Sequence, residues 1–194
     1  MSLQEYLAFE DRSALRHEYV AGEVFAMSGA TTRHNLITLN IVSALRGPAR
    51  TRGCQVFATD VKLRVADRIY YPDVILACGS AAAVEQIVEA PALVAEVTSP
   101  STRATDRREK LDGYRRIPSL QAYLIVDQRR RHALVYARQP DGEWEREELT
   151  DGEIRLPVLD AVLAVDDLYE GIDLPPLGVG EGEEWDFSES PDLY

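Results

Sequence analysis

Two short apolar runs, each carrying one carboxylate, limit most strongly what this chain can become. The first is Tyr71-Pro72-Asp73-Val74-Ile75-Leu76 and the second is Leu93-Val94-Ala95-Glu96-Val97-Thr98. Runs of this length, rich in Val, Ile and Tyr, read as buried strands. A carboxylate within a buried strand is costly unless it is paired or holds a metal. If the two strands are neighbours in one sheet, Asp73 and Glu96 stand side by side. Two like charges that close together favour a divalent cation between them. Downstream, Asp106-Arg107-Arg108-Glu109-Lys110 reads as helix and brings Lys110 as a cation. Two acids and a lysine around a metal are the parts of phosphodiester hydrolysis.

The bulk properties fit that chemistry only after the charge is mapped along the chain. The 194 residues, 45% of them hydrophobic, suffice for one compact domain. No apolar run reaches the roughly 18 residues that a membrane span needs. The start, Met1-Ser2-Leu3-Gln4-Glu5, has neither the basic nor the apolar region of a signal peptide. The expectation is a cytoplasmic protein without a membrane partner, in which Cys54 and Cys78 are buried thiols rather than a disulfide. The formal net charge of −12 looks wrong for nucleic acid. Residues 156–194, however, hold 11 of the 33 acids and none of the 21 Lys and Arg. The other 22 acids face all 21 bases within residues 1–155, so the body is close to neutral. Most of its bases are Arg, which grips phosphate in bidentate fashion.

Taken in order, Ser2 caps a short helix to Phe9, and His17–Val20 and Glu23–Met27 form a hairpin across Ala21-Gly22. A helix begins at Thr31 or Thr32 and is expected to stop at Gly47-Pro48. Gln55–Val65 and Ile69–Ala77 read as two strands around Ala66-Asp67-Arg68. A helical turn is expected between Gly79 and Glu89. Pro91–Val97 is a strand, followed by a helix capped by Ser101 or Thr102 and running to Arg116. Leu120–Asp127 is a further strand, parallel to its predecessor because a helix separates them. A hairpin, 133–138 with 144–149, and cover from 154–165 follow, with a last helical turn at 166–169. The order implies an α/β fold, a central mixed sheet flanked by helices, with an N-terminal hairpin. It spans residues 1–170, and 171–194 read as a mobile acidic tail.

The same residues resemble the Uma-type family of restriction-endonuclease-like proteins, within the PD-(D/E)xK nuclease superfamily. The resemblance rests on Tyr71-Pro72-Asp73, on Glu96 through Thr102, on Asp106-Arg107-x-x-Lys110, and on Tyr114 and Tyr123 through Asp127. His17 through Glu23 and Arg33-His34-Asn35 add the N-terminal pattern. It covers roughly residues 2 to 170 and implies a restriction-endonuclease-like core with Mg²⁺ or Mn²⁺ as cofactor. In the superfamily pattern a lysine stands two residues after the glutamate; here that position is Thr98. The resemblance implies that Lys110, on the helix, supplies the charge instead. Asp73 and Glu96 would hold the ion, with the Val97 carbonyl as a third ligand. Lys110 would orient the attacking water or stabilise the transition state.

Several further residues are candidates. Pairing Ala66 with Ile69 would put Lys62 opposite Asp73 and Asp60 opposite Ile75. Lys62 is thereby a rival cation and Asp60 an accessory acid, and a one-residue slip reverses both. His34, near a helix start, could touch a phosphate or the water. Glu23 is an accessory acid on the resemblance alone, and Glu18, at the other side of the hairpin turn, reads as facing solvent. Arg103, Arg107, Lys110 and Tyr114 recur at helical spacing, a stripe that could track a DNA backbone. The expected protein is a metal-dependent endonuclease hydrolysing DNA, most naturally duplex, and cleavage of both strands would suit a homodimer. The rival readings are an idle nuclease-fold module in a DNA-linked complex and an enzyme acting on RNA or nucleotides.

Overall fold

A computed structural model describes residues 1–27, 29–79, 87–98 and 104–174, with the side chains of 104–107 outside that description. Ser2 caps α1 (Leu3–Glu10) in a reciprocal capping box with Glu5. β1 (His17–Val20) and β2 (Glu23–Ala26) form the expected hairpin. Its turn places Ala21 and Gly22 at φ 49° and 96°, as the favoured two-residue hairpin loops require.

Helix α2 (Thr32–Thr51) starts where expected, with the Thr31 side chain accepting from the His34 N–H. It does not stop at Gly47-Pro48. Ile37, Ile41, Leu45 and Ala49 form one buried stripe, and Ala49 continues it past the proline, one turn after Leu45. Burial of that stripe outweighs the missing donor of Pro48.

Two expected strands are each broken in two, and the breaks organise the molecule. The stretch 55–65 divides into β3 (Cys54–Ala58) and β4 (Lys62–Val65), separated by Thr59 and Asp60 at φ 50° and 57°. The stretch 69–77 divides into β5 (Arg68–Tyr70) and β6 (Val74–Cys78), separated by Tyr71-Pro72-Asp73. Both breaks carry the chain between two sheets. With β7 (Ile87–Val88), the first sheet has the order β2-β1-β5-β4-β7. The second contains β8 (Pro91–Thr98), β9 (Ala122–Asp127), β10 (Ala133–Arg138) and β11 (Trp144–Leu149), in the order β11-β10-β9-β8-β6-β3. It is mixed: β8 and β9 are parallel, joined through α3 (Ala104–Arg115), and its other pairs are antiparallel. β12 (Glu153–Leu156) and β13 (Ala161–Ala164) make a small ribbon, and α4 (Val165–Leu168) follows it. The connection 79–89 contains β7, and its residues 80–86 lie outside the described part, as does the tail beyond Leu174.

The second sheet is covered on both faces, so its central strands are apolar throughout rather than alternating. Val74, Leu76, Leu93, Ala95 and Val97 join the buried stripe of α2. Ile75, Ala77, Val94, Tyr123 and Ile125 point the other way, toward Leu63, Val65, Tyr70 and Tyr114. Cys54 and Cys78 are directly opposed on β3 and β6 and form a disulfide, which corrects the expectation of two thiols. Their opposition depends on strand register, which nothing local to either cysteine reveals. No helix among the described residues is long and apolar enough to cross a membrane.

Candidate active site

Asp73 lies at the junction of the two sheets, one residue before β6. Its Oδ2 accepts the Val97 N–H at 2.6 Å and its Oδ1 meets His34 Nε2 at 2.8 Å. Val97 thus turns its N–H to the side where β6 begins. Its carbonyl shares that side, because both polar groups of one strand residue point to the same neighbour. Glu96 projects from the opposite face to Val97, toward α3. There the Tyr114 hydroxyl donates to Glu96 Oε1 at 2.9 Å, and Lys110 Nζ lies 3.4 Å from the same oxygen. Lys110 also pairs with Glu18 Oε1 at 2.8 Å, and Glu18 accepts the Tyr71 N–H at 3.3 Å. Strand β1, the end of β5, the start of β6, strand β8 and α3 therefore converge on one cluster.

Burial shapes its electrostatics. It pushes Glu96 up to about 7, and the negative charges of Asp73 and Glu18 add to the rise; Lys110 and the Tyr114 hydroxyl oppose it. For His34 burial works against the proton, but the hydrogen bond to Asp73 and the charges of Asp73 and Glu96 outweigh it, so its pKa is raised. Tyr114, buried beside Glu96, is held far above the ordinary tyrosine range.

The Glu96 shift fixes a sign for stability. The native carboxyl keeps a proton that the unfolded chain gives up between pH 4.5 and 7, so stability falls as pH rises through that window. In metal-free buffer, wild type should lose about 3 kcal/mol relative to Glu96→Gln between pH 4.5 and 8. Urea denaturation at several pH values measures this, and parallel profiles for the two proteins would rule it out.

The sequence candidates separate clearly. Asp73, Glu96, Lys110, His34 and the Val97 backbone come together. Lys62 does not lie opposite Asp73: Leu63 pairs with Tyr70, and the buried Lys62 amine pairs with Asp11 at 3.6 Å. The turn lies one residue earlier than assumed, with Val65 rather than Ala66 closing it, which moves every partner by two residues, and Asp73 is past the end of β5. Asp60 is exposed in the left-handed turn and lies 3.6 Å from Arg16. Glu23 is exposed on β2, opposite Val20. The stripe on α3 also changes meaning, since Lys110 and Tyr114 are buried rather than turned to solvent. Arg103 lies outside the described residues and so does the side chain of Arg107.

Three residues take roles that the sequence did not suggest. Glu18 is the acid of the hairpin that reaches Lys110. Tyr114 holds Glu96. Glu10 is fully buried and receives the Tyr71 hydroxyl at 2.9 Å and the His17 N–H at 3.0 Å, fixing the chain just before Asp73. The spacing of His17-Glu18-Tyr19, with Tyr19 buried, carried the only signal for Glu18, as part of the N-terminal pattern.

The donor set suits a hard divalent cation: two carboxylates and a backbone carbonyl at strand ends, which is as much protein as Mg²⁺ commonly requires. Among the described residues no three His, Cys, Asp or Glu side chains form a ready ligand cage.

The structure thus sets two acids at the ends of adjacent strands of a mixed sheet, with Lys110 reaching Glu96 from a helix and Thr98 at the strand position two residues after that glutamate. The chain belongs to the Uma2 family, described as "Putative restriction endonuclease", whose family model matches residues 3–166. Two relatives come from Synechocystis and are both named as uncharacterized. The protein slr1290 is 33% identical over 147 residues, covering 74% of this chain and 77% of its own length. The protein sll1609 is 31% identical over 154 residues, covering 77% of this chain and 87% of its own. A crystal structure of "a putative nuclease belonging to DUF820" from Anabaena variabilis superposes with a TM-score of 0.71 at 20% identity, over 87% of this chain and 97% of that one. The fold is the restriction-endonuclease-like one.

Proposed function

We propose that this chain is an endonuclease that hydrolyses DNA phosphodiester bonds with Mg²⁺ or Mn²⁺, held by Asp73, Glu96 and the Val97 carbonyl. The observation that carries the reading is the convergence of Asp73 and Glu96 at the ends of β6 and β8, with Lys110 touching Glu96 from α3. When bound, the ion supplies positive charge against the phosphate and activates water. The residues do the rest. The Val97 N–H and His34 fix both oxygens of Asp73, so its carboxylate is oriented before substrate arrives. Tyr114 does the same for Glu96. Lys110, aligned by Glu18, stabilises charge that builds on the phosphoryl oxygens. Arg107 and Arg103, three and seven residues before Lys110 in the sequence, bind neighbouring phosphates.

One observation favours a second reading. Lys110 already bridges Glu18 and Glu96, which neutralises the cluster without a metal, as an idle nuclease fold retained for binding would. Supercoiled plasmid separates the two. The nuclease converts it to nicked circles with Mn²⁺ or Mg²⁺ and leaves it intact with EDTA; the idle module leaves it intact in both. Single-stranded RNA and nucleotides run in parallel test the substrate, and cleavage of RNA without cleavage of DNA would overturn the assignment.

A further inference from the structure

A groove of about 810 Å³ lies between the second half of α2 and β3, well away from the acid cluster. His34 and Arg46 are separated by about 18 Å along the axis of α2. Val42, Val56 and Phe57 give the groove an apolar wall, and Arg46 and Arg50 rise at its rim. Both arginines are exposed, and neither forms an ion pair or side-chain hydrogen bond among the described residues. One side of the groove is β3, an edge of the six-stranded sheet. Open edges with apolar neighbours invite wrong pairing and are usually covered.

The last described residues lie against α2, and the segment that follows them has chemistry that fits this groove. Asn40 of α2 donates to the carbonyls of Leu168 and Glu170 at 3.1 and 3.0 Å. Ile172 and Leu174 then pack on the core cluster that also receives Val42 and Val56. From Leu174, 20 residues remain, 175–194, with six acids, no base, and the aromatics Trp185, Phe187 and Tyr194. Trp185 and Phe187 stand among Glu183, Glu184 and Asp186, so an apolar anchor and negative charge come together. Trp185 is eleven residue steps from Leu174, and an extended chain of that length reaches about 36 Å, ample for the groove.

We propose that residues 175–194 seat in the α2–β3 groove of the same molecule, Trp185 and Phe187 against Val42, Val56 and Phe57, with the flanking acids facing Arg46 and Arg50. The seat covers the β3 edge and uses arginine charge that no ion pair among the described residues takes up. It has a direct optical readout, because the chain has two tryptophans, Trp144 and Trp185. In full-length Trp144→Phe, Trp185 reports alone. It should emit at short wavelength and be quenched by acrylamide several-fold more slowly than in the denatured chain. Arg46→Glu with Arg50→Glu in that background should return emission and quenching to exposed values, most completely at low salt. Circular dichroism of the charge-reversed protein checks that the fold is intact, and Val56→Asp in place of the reversals tests the apolar wall separately. Exposed Trp185 in the starting background would overturn the proposal. So would protection that survives both the reversals and Val56→Asp. Protection that appears only as protein concentration rises, in step with a dimer seen by sedimentation, would assign the groove to a second copy. Loss of duplex DNA binding on charge reversal, with Trp185 unchanged, would assign it to nucleic acid.

Discussion

Asp73→Asn should abolish metal-dependent cleavage while leaving the protein folded. The substitution keeps the shape of the side chain and one oxygen that can accept the Val97 N–H. It removes the negative charge and hence the main ligand. Loss of one group that stabilises transition-state charge lowers turnover by about 100- to 1000-fold. Metal binding gives an independent reading. Mn²⁺ should raise the melting temperature of wild type by linkage and leave Asp73→Asn unmoved. Asparagine is the better probe than alanine. Asp73 accepts a buried N–H and pairs with His34, so Asp73→Ala would strand a donor at a cost of about 1–3 kcal/mol and confuse folding with ligation. Identical Mn²⁺ isotherms for wild type and Asp73→Asn would remove this carboxylate from the site.

The parts of the architecture that sequence makes legible are those in which local pattern and long-range packing agree. A carboxylate in a continuous apolar run is a conflict visible without coordinates, and it led to Asp73 and Glu96. The Ser2 cap, the Ala21-Gly22 turn and the helix between the parallel strands are likewise local signals. What stayed hidden depends on register or on contacts between remote segments. Moving the turn by a single residue shifted the partners by two and took Lys62 away from Asp73. The Cys54–Cys78 bridge needs β3 and β6 aligned to the residue. Pro48 misled because the packing of Ala49 outweighs a missing hydrogen bond. Glu18 and Glu23 have the same side chain on one hairpin, and only the placement of β1 next to β5 lets Glu18 reach Tyr71 and Lys110. The strand breaks at 59–60 and 71–73 were invisible as apolar patterns, yet they put Asp73 where the sheets meet.

The placement of Lys110 makes its removal a sharper experiment than a simple loss of charge. The amine is buried between Glu18 at 2.8 Å and Glu96 at 3.4 Å. Lys110→Met preserves the aliphatic stem and removes the amine, which lies 5.7 Å from the Tyr70 ring centroid. It leaves two neighbouring carboxylates without their cation, and breaking a buried pair in this way costs about 3–5 kcal/mol. Two responses relieve the repulsion. One is uptake of a proton by Glu96, whose pKa burial, Asp73 and Glu18 already hold high while Lys110 pulls it down. The other is a divalent cation, which supplies the missing charge directly. Metal affinity and turnover should therefore move in opposite directions. Lys110→Met should bind Mn²⁺ more tightly than wild type in calorimetry and recover stability as Mn²⁺ is added. Its plasmid nicking at saturating Mn²⁺ should still be about 100-fold slower, because the charge that acts on the phosphoryl oxygens is gone. Glu18→Gln added to Lys110→Met removes one of the two stranded carboxylates, so it should restore much of the metal-free stability without restoring turnover. A single variant that loses stability, metal binding and turnover together, with turnover returning in the double variant, would make Lys110 a structural counter-ion and leave the transition-state charge to another residue.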